Sequence, residues 1–353
     1  MKQETSLYLD TVRFVSALVV FLGHAAGKLT GGFLWQLNGY LSAAVMVFFV
    51  LSGYVIAFVY DRKENNIKSY AISRISRFYS VVIPALLLTF ICDYLGIYIN
   101  YDLYFDGPWP APQSDLANYL LSLFFIQNIW GLNLNPGMNG PFWSLTFEVG
   151  FYFLFASFVF FKGWRRVTFI ILASLLFGPD VITYLPIWLL GCLVYFLHKR
   201  IENANIILSL FFFTTSLSAL LFLTPYLYSS INATPGFVLT SRNVYADYIV
   251  ASIFAVNLLF SNYTSMITVV LFRFKIIITF LASCTFSLYL FHRPLIQLLA
   301  AIEIGSPSSI INRLFVIGGT LLIVYTLGRW CESQRFFIKK MLYSLWNFRK
   351  QRK

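Results

Sequence analysis

Two ionisable residues, Arg13 and His24, sit eleven positions apart inside the first apolar run of the chain. Such groups are costly in a membrane-length segment and point to chemistry rather than packing. At 3.6 residues per helical turn the interval is just over three turns. Both side chains therefore share nearly one face, about 16 Å apart along the axis. An imidazole can take a proton from a hydroxyl or carry a covalent group itself. A guanidinium can hold a phosphate or stabilise charge developing on an oxygen. Asp10, one turn before Arg13, can neutralise part of its charge. The plainer alternative is an interfacial Asp10–Arg13 ion pair, with His24 packed near the far surface.

Further stretches carry polar chemistry. Pro141-Phe-Trp-Ser-Leu-Thr-Phe-Glu148 follows an Asn/Gly/Pro-rich loop and opens a new apolar run. Ser144 and Glu148 are one turn apart, as are Glu148 and Tyr152. A carboxylate one or two turns inside a span can orient a histidine or receive a sugar hydroxyl, and Trp143 and Tyr152 offer aromatic faces to a carbohydrate ring. The alternative is a carboxylate favoured only by the helix dipole. Later, Ser287-Leu-Tyr-Leu-Phe-His292-Arg293-Pro294 sets Tyr289 and His292 ahead of a proline that frees a backbone carbonyl and permits a kink. Arg74 and Arg77, one turn apart where an apolar run begins, suit a polyanion such as the phosphates of coenzyme A. Arginines are also common at such ends for topological reasons alone. His198 precedes Lys199 and Arg200 and reads as interfacial, while Asp93 lies in the third span without a partner legible from spacing. The four cysteines stand singly, with no metal or disulfide spacing, and read as buried packing.

These residues must be positioned by membrane helices. Apolar residues make up 59 % of the 353 and charged residues 11 %, well below the roughly 25 % of soluble domains. Apolar runs of about 20 residues recur, long enough for a hydrocarbon core of about 30 Å. The expected fold class is all-α: a polytopic integral membrane protein of about ten spans plus one short re-entrant or interfacial helix. The spans fall near 7–27, 39–59, 79–99, 142–161, 167–183, 185–198, 205–224, 247–265, 275–299 and 312–331, and the short helix over 116–130. The first run is too long for a signal-peptide core and lacks a small-residue cleavage site, so it reads as a retained span. With the N-terminus cytoplasmic and 116–130 not crossing, 21 of the 26 Lys and Arg fall on the cytoplasmic side. Both termini are then cytoplasmic, and the acidic loop 100–115 lies opposite. This bias accounts for the net charge of +12, so nucleic acid is not expected as a partner. The final WNFRKQRK reads as an anchor near anionic lipid.

Taken in order, the motifs resemble the acyltransferase-3 family of membrane acyltransferases, which O-acetylate surface polysaccharides and lipopolysaccharide. YLDTVRFVSALVVFLGHAAG has the family's arginine, ten residues and histidine in Arg13 and His24. VFFVLSGYVIA is similar to its second-span signature through Ser52 and Gly53, and SRISRFYSVVIPALLL to its RxxR stretch. PFWSLTFEVGFYFLF matches the WSLxxExxFY pattern through Trp143, Ser144, Glu148 and Tyr152. SLYLFHRPLI resembles the late span with serine, tyrosine and histidine before a proline. Arg293 departs from the aromatic residue many relatives carry, which bears on acceptor specificity rather than reaction class.

The resemblance implies a membrane acyltransferase domain over 1–335 and a basic cytoplasmic tail over 336–353. It implies acyl-CoA, usually acetyl-CoA, as donor and no metal. The acceptor would be a carbohydrate or glycolipid hydroxyl across the bilayer, at the cytoplasmic membrane of a bacterium. Carried over to this chain, the catalytic residues are His24, Arg13 and Glu148, with Arg74 and Arg77 on the donor. Trp143, Ser144, Tyr152, Tyr289 and His292 are the acceptor contacts, and His24, Glu148 and His292 are expected to cluster toward the far side. A transporter or flippase for a lipid-linked sugar would use similar residues, but the inverted repeat common in such folds is not evident. A glycan polymerase would be expected to carry a large arginine-bearing outer loop, and the longest one here, about 225–246, has only Arg242.

Overall fold

The computed structural model describes residues 3–105, 115–201, 203–231, 238–239, 243–263 and 270–351, and their regular structure is helical throughout. Helix α1 spans Gln3–Ala25, α2 Leu41–Arg62, α3 Ile67–Ile99, α4 Tyr101–Phe105 and α5 Leu116–Leu123. Then come α6 Trp143–Phe160, α7 Gly163–Phe177, α8 Pro179–Arg200, α9 Ile206–Ser230 and α10 Val244–Ser261. The chain closes with α11 Lys275–Ala282, α12 Thr285–Ala301, α13 over 310–333 and α14 Arg335–Gln351. Most of the acidic loop 100–115, together with Arg242 and residues 264–265, lies outside the described residues.

The protein is a polytopic helical membrane protein. Among the described residues, eight helical stretches are long and apolar enough to cross a bilayer, and α11 with α12, bent by 55°, makes a ninth. That bend falls at residues 283–284, ahead of Pro294, through which α12 runs on. The span expected at 167–183 corresponds to α7, which at 15 residues is shorter, about 22 Å. Gly178, with φ of 84°, ends it early, and Pro179 starts α8. The helix expected over 116–130 covers only Leu116–Leu123, about 12 Å, too short to cross. It stops because Phe125, at φ of 61°, turns into the core against Phe78 and Tyr79, while Gln127 bonds the Phe142 carbonyl. The basic tail is helical and lies along the start of α3, where Lys68 meets the rings of Tyr343 and Trp346. All four cysteines are free and buried.

Contacts between helix ends define two faces. Lys199 bonds Asp61 at 2.8 Å, Tyr60 packs on Phe160, His198 meets the Leu259 carbonyl and Thr5 bonds Asn262. The ends of α2, α6, α8 and α10 therefore share a face with the start of α1. It gathers Arg62, Lys63, Lys162, Lys199 and Arg200, and is here called the basic face. At the opposite face Asn312 and Arg313, opening α13, bond the carbonyls of Leu29 and Thr30. Helices α2 and α8 run in the same direction and touch through glycines. A Cβ on Gly53 would lie 1.9 Å from the Trp188 carbonyl oxygen, and one on Gly191 1.9 Å from that of Val50. Small residues at membrane-helix contacts permit such approach.

Candidate active site

The close α2–α8 contact sets the polar centre. Ser52, the residue before Gly53, accepts a bond from Trp188 Nε1 at 3.2 Å and donates to Glu148 Oε1 at 3.1 Å. Tyr152, one turn along α6, donates to the same carboxylate oxygen. Glu148 is thus held by two hydroxyls on the wall of a small cavity of about 70 Å³, which Arg13 and Arg77 also line. Arg13 is paired with Asp10 at 3.1 Å, as their spacing on one helix predicts. Ser144 Oγ and Tyr289 Oη stand 2.9 Å apart at the end of this cavity nearer the far face.

Beyond that pair lies an outer cavity of about 400 Å³, lined by His24, Asn135, Trp143, Tyr289 and Arg293 among others. Tyr289 and Val45 wall both chambers. His24 Nδ1 lies 2.9 Å from His292 Nε2, and His292 Nδ1 lies 2.8 Å from the Leu288 carbonyl oxygen. The loop before α6 forms one rim and is tied down by side chains that spacing alone left unpaired. Pro294 deprives the Leu290 carbonyl of its helical donor. Asn139 Nδ2 supplies one at 2.8 Å and also bonds Thr89 Oγ1 at 2.9 Å. Asp93 accepts from the Met138 backbone N–H at 3.0 Å, and Gly137, at φ of 51°, leaves room for that carboxylate.

Toward the basic face, two larger cavities follow. One of about 450 Å³ is lined by Asp10, Arg13, Arg77, Arg329, Glu332 and Arg335. The next, of about 360 Å³, is lined by Arg74, Arg77, Arg335 and Lys339 with Glu64. Arg13 and Arg77 belong to the central and first inner cavities alike, and Arg77 to all three. Successive cavities with shared walls therefore lie between the basic face and His24.

The structure divides the expected site. Glu148 sits with Arg13 and Arg77, whereas His24 sits with His292, so the expected cluster of His24, Glu148 and His292 splits between two chambers. The reason is geometric: α6 begins at Trp143 on the outer cavity, and Glu148 lies about 7.5 Å further along its axis. His292 is wholly buried behind His24 and does not line the outer cavity. Arg74 is engaged by Glu64 at 2.8 Å, with both side chains nearly buried, and stacks on Tyr70. Arg329 on α13 and Arg335 on α14 carry no signal in local spacing, because both helices meet α3 only in the folded chain. Among the described residues no three His, Cys, Asp or Glu side chains gather at metal-binding distances.

Fold and site together define a polytopic membrane protein with a row of internal cavities, a held carboxylate and a histidine pair. The chain belongs to the acyltransferase-3 family, whose acyltransferase domain matches residues 6–329. It is accordingly a membrane acyltransferase, and its acyl groups are not aminoacyl groups. No curated protein matches the chain, and no solved structure does.

Proposed function

We propose that the protein transfers an acyl group, most readily acetyl, from acyl-CoA at the basic face to a hydroxyl of a cell-surface carbohydrate at the opposite face. The basic face is the cytoplasmic one, and the membrane is the cytoplasmic membrane of a bacterium. The observation that carries this reading is the row of cavities with shared walls from Arg335 to His24, with cations at one end and aromatic rings at the other. Arg77, Arg329, Arg335 and Lys339 take the donor's phosphates as charge-assisted partners. The donor's arm passes Arg13 and Glu148 to bring the thioester to His24, along about 16 Å of α1. Arg13 lines the central and inner cavities, which favours a role on the donor over one at the reacting carbonyl.

At the outer cavity the acceptor sugar stacks on Trp143 and Tyr289. His24 takes the proton of the attacking hydroxyl as the C–O bond forms. The C–S bond then breaks, and the proton passes to the leaving thiolate, which departs as free CoA. Glu148, fixed by Ser52 and Tyr152, keeps Arg13 and Arg77 aligned along the donor's path. The test is mass spectrometry of the surface glycan from cells carrying wild-type or His24→Ala protein at equal membrane levels. Acylation is expected to vanish in the variant, and full acylation there would remove His24 from the mechanism.

A further inference from the structure

We infer that His292 is a positioning residue that locks His24 in its Nδ1–H tautomer and so leaves His24 Nε2 as the working base. A backbone carbonyl oxygen can only accept, so the 2.8 Å contact to Leu288 requires the proton of His292 on Nδ1. A neutral imidazole protonated there has its lone pair on Nε2. The 2.9 Å contact from that nitrogen to His24 Nδ1 then takes its proton from His24. The Val20 carbonyl, one turn back on α1, is a second acceptor for the His24 ring, reached from Nδ1 as Leu288 is from His292. Nε2 is therefore the ring nitrogen left outside these bonds, on a residue that lines the outer cavity.

The reverse arrangement would need a charged His292 donating to His24, which would then carry its own proton on Nε2 and could not act as a base. Charge on a wholly buried ring, next in sequence to the buried guanidinium of Arg293, is costly. Phe21 packs its edge against the His292 ring and helps fix its plane. When His24 accepts the substrate proton, its Nδ1–H continues to donate to His292, so the cation forms with its partner already in place. The third histidine supplies an internal contrast. His198 Nε2 lies 2.8 Å from the Leu259 carbonyl and its Nδ1 3.0 Å from the Tyr54 hydroxyl, so it carries the opposite tautomer, Nε2–H.

The chain has 3 histidines, so a histidine-¹⁵N spectrum of the full-length protein in lipid bilayers is assignable by single substitution. Two Nδ1–H rings and one Nε2–H ring are expected, with one Nδ1–H ring lost in His24→Ala. In His292→Phe, where only the Val20 carbonyl still accepts from the ring, the His24 signal should move part of the way from the pure Nδ1–H position. The kinetic half rests on the acyl-transfer reading. His292→Phe should lower kcat by about 100-fold, the usual reach of general base catalysis, with donor and acceptor KM nearly unchanged. His292→Gln, whose amide oxygen can replace Nε2 as acceptor, should recover most of kcat. A wild-type spectrum with His24 protonated on Nε2 overturns the inference, as does wild-type kcat in His292→Phe. The spectrum needs neither donor nor acceptor, so it stands even if the acyl-transfer reading fails.

Discussion

Gly53 and Gly191 let α2 and α8 meet backbone to backbone, and filling either one should force the helices apart. The added Cβ would lie 1.9 Å from a carbonyl oxygen in each case, and neither oxygen belongs to a flexible side chain. The helices must part by roughly 1.5 Å to bring that contact to an ordinary 3.4 Å. Overpacking of this kind sits at the upper end of its usual range, about 3 kcal/mol for Gly53→Ala. Because one displacement relieves both sites, the double variant with Gly191→Ala should lose much less than the sum, a coupling of about 2 kcal/mol. Unfolding free energies in denaturing detergent for wild type, both single variants and the double variant close the cycle. The same displacement stretches the 3.2 Å Trp188–Ser52 bond and loosens Glu148, so turnover should fall even where the variant is folded. A Gly53→Ala protein within about 0.5 kcal/mol of wild type, or strictly additive single effects, would refute the close-contact argument.

Arg77→Met should raise KM for acyl-CoA about tenfold, the loss of one charge-assisted contact, with stability largely kept. Arg74→Met should behave oppositely, losing about 3 kcal/mol of stability because Glu64 is left buried and unpaired, with donor KM little changed. Parallel binding titrations and thermal unfolding separate the two. Asn139→Ala strips the Leu290 carbonyl of its donor, which should cost about 2 kcal/mol. It should also raise acceptor KM, because the loop it anchors leads into Trp143. Steady-state kinetics with varied acceptor would check this.

What the sequence disclosed is what local spacing determines. Arg13 and Asp10, or Glu148 and Tyr152, lie on single helices, so a turn of 3.6 residues fixes their relation before any tertiary contact exists. The freed carbonyl ahead of Pro294 was legible for the same reason, but its partner Asn139 was not. Length and apolarity marked most spans. They overextended the helix at 116–130, because the burial of Phe125 and the Gln127–Phe142 bond are tertiary events. The pairs that shape the site lie far apart in sequence: His24 and His292 by 268 positions, Ser144 and Tyr289 by 145, Ser52 and Glu148 by 96. No periodicity links them, and the glycines that bring α2 and α8 together show their purpose only once a neighbour's backbone is seen to fill the missing Cβ.

The division of the site into chambers follows from the same packing. A guanidinium midway through a membrane helix is tolerated at Arg13 because Asp10 pairs with it at 3.1 Å and the Glu148 side chain lines the same small cavity. Both side chains lie on the basic-face side of the Ser144–Tyr289 pair, and neither lines the outer cavity. The histidine that lines that cavity has a second imidazole as its partner rather than a carboxylate. On the proposed mechanism this pairing orients His24 without an adjacent anion to hold it protonated, as a general base requires.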